Sequence, residues 1–91
     1  MSKRLLGANL IRVIHSDDTV ALINKFEING FLKYLSESDF IDNANYCNNI
    51  NFKEGKKQII RIEIERDSNF VGCIGETTVY DFNDKNGVYL Y

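Results

Sequence analysis

The sequence predicts an α+β domain: an antiparallel sheet of five or six strands with one or two helices packed on it. Three observations lead there. Ile60, Ile62 and Ile64 alternate with charged residues, residues 70–82 are rich in β-branched and aromatic side chains, and residues 36–47 carry helix-start chemistry. At 91 residues the chain is expected to form one domain over 1–91, because chains under about 100 residues rarely divide. Its apolar fraction of 44% and charged fraction of 26% suit a folded core rather than disorder.

In chain order, "NLIRVIH" (9–15) alternates well enough to read as a strand. "SDDT" follows, either a hairpin turn or a helix start with Ser16 as N-cap and two acids in the first turn. Periodicity favours the strand, since Val20, Leu22, Phe26 and Ile28 then share one face, with Asn24 out of place. Asn29-Gly30 is expected to form a type I′ turn, where both residues tolerate positive φ, and residues 31–35 to return as the next strand. "SESDFIDNANYC" (36–47) reads as a helix capped by Ser38, with Phe40 or Ile41, Ala44 and Cys47 recurring at helical spacing. The Asn-rich stretch 43–51 reads as a loop or a frayed helix end, because Asn competes for its own backbone.

"KKQIIRIEIER" (56–66) is a strand buried on one side. In "FVGCIGETTVYDF" (70–82), Gly72 and Gly75 suggest a bulge or sharp bend. "NDKNG" supplies a turn and "VYLY" (88–91) a last short strand, which leaves an apolar edge suited to a homodimer. A sheet of this many strands can also curl into a small barrel.

Chemistry is hard to find in this chain. His15 is the only histidine, and the adjacent Ser16 points away from it on a strand, so no nucleophile–base pair results. Cys47 and Cys73 lie too far apart for a zinc motif and read as buried thiols. "DFNDKNG" (81–87) lacks the Gly at position six and the Glu at position twelve of a calcium loop. "GCIG" (72–75) is no phosphate cradle. Glu63 and Glu65 share their strand face with Arg61, which makes a solvated face of them. No catalytic, cofactor or metal residues are expected, and the chain reads as a non-enzyme.

A net charge of −2 and a pI near 5.3 disfavour direct nucleic-acid binding, which needs a clustered basic excess. The apolar runs fall far short of the roughly 20 residues that span a bilayer. Arg12 and His15 interrupt the apolar start and no cleavage site follows, so a cytoplasmic location is expected. Residues 34–52 hold Glu37, Asp39 and Asp42 and no base, and the last 25 residues are also acidic. Aromatics beside acids are the residue types that anchor and steer interfaces. The expected partner-binding set is therefore Glu37, Asp39, Phe40, Asp42, Tyr46, Tyr80, Asp81 and Asp84.

The expected partner is a protein, one that handles nucleic acid or serves host defence. In size and composition alone the chain resembles the small inhibitors that phages make against host defences (anti-CRISPR, anti-restriction or DNA-mimic types). The lack of Trp and Pro and the wealth of Asn, Ile, Lys and Tyr fit an AT-rich genome. Two other expectations compete: an immunity or antitoxin protein, and a small-barrel nucleic-acid module using Lys53, Lys56, Lys57, Arg61 and Arg66 with Phe52 as a stacking ring.

Overall fold

A computed structural model describes residues 3–67 and 75–82. Its elements are β1 (Ala8–His15), β2 (Val20–Asn24), α1 (Lys25–Phe31), α2 (Glu37–Lys53), β3 (Ile59–Arg66) and β4 (Glu76–Asp81). The class is α+β, with two helices and an open antiparallel sheet. Its order is β2-β1-β3-β4, so four strands are present among the described residues rather than five or six, and the sheet does not close into a barrel. The expected turn at 83–87 and strand at 88–91 lie outside the described residues, as do Phe70, Gly72 and Cys73.

The two central strands carry the core. Ile11 and Val13 of β1 pair with Ile64 and Ile62 of β3, and three of these four are fully buried while Val13 is nearly so. Each buried Ile contributes about 1.5–3 kcal/mol of apolar transfer. Leu5, Ala8, Ile28, Ala44 and Phe82 complete the cluster, with Ile23, Phe40, Ile41 and Tyr80 packed against it. Period-2 alternation therefore places Tyr80 with the core and Asp81 on the opposite sheet face.

The turn expected at Asn29-Gly30 is a helix instead. "SDDT" makes the hairpin: His15 N–H donates to the Thr19 carbonyl at 2.9 Å, Asp18 N–H to His15 at 3.0 Å, and Asp18 takes φ 69°. Asp17 secures it by accepting from the Thr19 N–H and hydroxyl. β2 then ends at Asn24, which N-caps α1 in a capping box: its side chain accepts from Glu27 N–H while Glu27 reaches back to Asn24 N–H. Two orphan donors are thus satisfied together, which outweighs the turn preference of Asn-Gly. Gly30 sits in the helix without positive φ. Of the four residues expected to face the core, only Ile28 is buried; Val20, Leu22 and Phe26 are exposed.

Helix α2 starts earlier and runs longer than its sequence suggests. Ser36 rather than Ser38 is the N-cap, accepting from Asp39 N–H at 3.1 Å. At the far end Gly55 (φ 71°) donates to Phe52 and Lys56 to Asn51, a Schellman arrangement that satisfies the last carbonyls. The Asn-rich stretch is therefore helical throughout. One of its members supplies the reason: buried Asn48 accepts from Ile59 N–H at 2.7 Å and donates to the Ile59 carbonyl at 2.8 Å, tying the helix to the start of β3. The inward face is Glu37, Ile41, Ala44 and Asn48, which leaves Cys47 exposed rather than buried. No helix among the described residues is long and apolar enough to cross a membrane.

Candidate interaction surface

The eight residues expected to bind a partner do not form one surface. Glu37 is 5% exposed. Its carboxylate accepts from Arg66 Nη2 at 2.7 Å and Nε at 3.2 Å, and from the Tyr80 hydroxyl at 2.6 Å. Arg66 also donates to the carbonyls of Arg4 (2.7 Å) and Leu6 (3.5 Å), and Glu37 N–H to that of Lys3 (2.7 Å). This node fastens the N-terminal segment, α2, β3 and β4 together. Glu37 is thus a structural residue, a correction to its expected place on an acidic surface. Burial, then the hydrogen bond to Glu37 and its charge, push the Tyr80 hydroxyl up to about 12.

Phe40 is half-buried against the core. Asp81 is exposed on the open sheet face, in register with Arg61 and turned away from the helices. Asp84 lies outside the described residues. Asp39, Asp42 and Tyr46 do come together: at spacings of three and four they share the outer side of α2, where Ile50 extends the stripe.

The sequence pattern did not show how many of the aromatics stay in water. The described residues include eight aromatics, and five of them (Phe26, Phe31, Tyr34, Tyr46 and Phe52) are exposed, while eight of the nine buried core residues are aliphatic and Phe82 is the ninth. Phe26 and Phe31 are each 88% exposed and Tyr46 is 64%. All five belong to α1, α2 or the segment between them. Arg4 and Lys33 each lie over the Tyr34 ring, at 6.0 and 5.1 Å from its centroid. The capping box at Asn24 was the available signal: a helix from residue 25 with Ile28 as its inward anchor places Phe26 and Phe31 elsewhere.

The remaining surface offers little chemistry. His15 is half-buried, with Nδ1 3.2 Å from the carbonyl of Thr19 in its own turn. A cleft of about 310 Å³ is lined by Lys3, Leu6, Gly7, Arg66, Asp67 and Glu76, but a Lys3–Glu76 ion pair (3.3 Å) lies within it and Arg66 is committed to Glu37. Among the described residues no cluster of His, Cys, Asp or Glu is arranged to hold a metal. On the open sheet face, Arg12 bridges Glu63 and Glu65 at 3.5 and 2.7 Å, and Arg61 reaches Glu63 at 3.2 Å. Carboxylates paired this way are charge-balanced. Compared with known proteins, the chain matches no family model, no curated protein and no solved structure.

Proposed function

We propose that this protein is a non-catalytic binding protein that captures a protein partner through the aromatic outer surface of its helices. The observation that carries the reading is the exposure of five of the eight described aromatics, Phe26, Phe31, Tyr34, Tyr46 and Phe52, while Phe82 alone among them is fully in the core. Exposed apolar surface marks an interaction site where it gathers into a patch rather than lying scattered. Aromatic side chains are the commonest anchors of protein interfaces. Asp39 and Asp42 beside Tyr46 supply charge that steers a basic partner, and they act on association rate more than on affinity. The inhibitor reading, directed at a host protein of defence or nucleic-acid handling, is supported by small size and AT-rich composition alone.

The test is capture from a host lysate by the full chain, with the partner identified by mass spectrometry and then titrated as a pure protein. Phe26→Ser, Phe31→Ser and Tyr46→Ser should each weaken the complex by about thirtyfold if they are anchors, and leave the melting temperature nearly unchanged. Asp39→Lys with Asp42→Lys should slow association. Val79→Ser on the open sheet face should bind as wild type. Aromatic variants that bind normally, or a partner lost on His15→Ala, would overturn the reading.

A further inference from the structure

Helix α1 is held lightly. Its seven residues make two turns, and a helix shorter than about 12 residues depends on packing to persist in water. That packing rests on one buried side chain, Ile28. No base stands in the last turn to meet the negative end of the helix, and Gly30 is a poor helix former. Asn29 adds a further cost, because its side-chain oxygen is enclosed and meets no hydrogen-bond donor among the described residues.

Asn29 is also followed by glycine, a pair that reacts with itself when its backbone is free. The Gly30 nitrogen, unshielded by a Cβ, gives up its proton and bonds to Asn29 Cγ while the side-chain nitrogen leaves as ammonia. Water then opens the resulting succinimide at either carbonyl, to aspartate or isoaspartate. The sequence is redox-neutral and consumes water alone. Inside the helix the first step is blocked: each N–H turns along the axis toward the carbonyl four residues back, away from the preceding side chain.

We propose that Asn29 is a site of spontaneous deamidation gated by local opening of α1, and that the reaction dismantles this helix permanently. Isoaspartate puts an extra methylene into the main chain and breaks the hydrogen-bond ladder after Ile28, leaving a single turn. Aspartate sets a new carboxylate at the negative end of the helix. Phe26 lies before the break and Phe31 after it, so the same event uncouples two exposed rings.

The test is ageing of the full chain in mildly alkaline buffer, with conversion read site by site by peptide mass spectrometry. Asn86, which also precedes a glycine, is then counted apart. Asn29 should convert at least about tenfold more slowly in the native protein than in urea, since only the open fraction reacts. Asn24→Ala removes the cap of α1 and should speed native conversion about fivefold through a larger open fraction. Tyr80→Phe loses its hydrogen bond to Glu37 on β4, which lies across β3 from the strands that α1 packs on, and should leave the rate unchanged. The converted protein, separated by its added negative charge, should lose amide-exchange protection at residues 28–32. Native conversion as fast as in urea overturns the proposal, as does a rate indifferent to Asn24→Ala. Equal acceleration by Tyr80→Phe, or a converted protein that keeps its protection at 28–32, overturns it too.

Discussion

Replacing Glu37 by Ala should destabilise this protein far more than loss of a surface acid would. The carboxylate is nearly enclosed, and it accepts two hydrogen bonds from Arg66 and one from Tyr80. Removing one member of a buried pair leaves the other charge without its partner, which costs about 3–5 kcal/mol. Arg66 keeps the carbonyls of Arg4 and Leu6 as acceptors, which places the expected loss at the lower end, about 3 kcal/mol. A protein of 91 residues has only about 5–14 kcal/mol of stability in all, so the variant loses a large share of it. Urea unfolding followed by far-ultraviolet circular dichroism should show the midpoint falling by about 2 M, taking a slope near 1.5 kcal/mol/M. A double-mutant cycle with Tyr80→Phe should give a coupling well above zero, because the two side chains share one hydrogen bond. A midpoint shift below about 0.5 M, the size expected of an exposed ion pair, would refute the account of Glu37 as the tie between the N-terminal segment, α2 and β4.

Gly30→Ala should stabilise the protein by about 0.5–1 kcal/mol in the same assay: Gly30 is helical, and an added Cβ meets nothing within 4 Å. A tight Asn-Gly turn would respond with the opposite sign. Tyr80 should hold its proton to about pH 12, seen as a late tyrosinate absorbance step that disappears in Tyr80→Phe. In the unfolded chain a tyrosine ionises near pH 10, and a group whose pKa is raised on folding is bound more tightly in the native state. Stability is therefore unaffected by Tyr80 below pH 10 and falls as pH rises from 10 to 12. Tyr80→Phe should flatten that part of the stability–pH curve.

Local signals in the sequence were enough to define the alternation of β3, the existence of a helix after Ser36 and the α+β class, because each depends on neighbours within a few residues. Period 2 in "IIRIEIER" marks a half-buried strand whatever it packs against. The residues at 25–31 carried two local signals, a capping box and an Asn-Gly turn, and the tertiary structure decided between them. Ile28 reaches the core only from a helix, and the hairpin at Asp17–Asp18 had already reversed the chain. Likewise, no local rule separates Glu37 from Asp39 and Asp42. What buries Glu37 is Arg66, 29 positions away, and Tyr80, 43 away. The sequence by itself determined a single-sided strand and a capped helix. Which acids are structural, which aromatics stay in water and which strand edge lies open were decided by long-range pairing. Burial and charge pairing depend on what the rest of the fold brings to each side chain, and spacing along one segment does not carry that information.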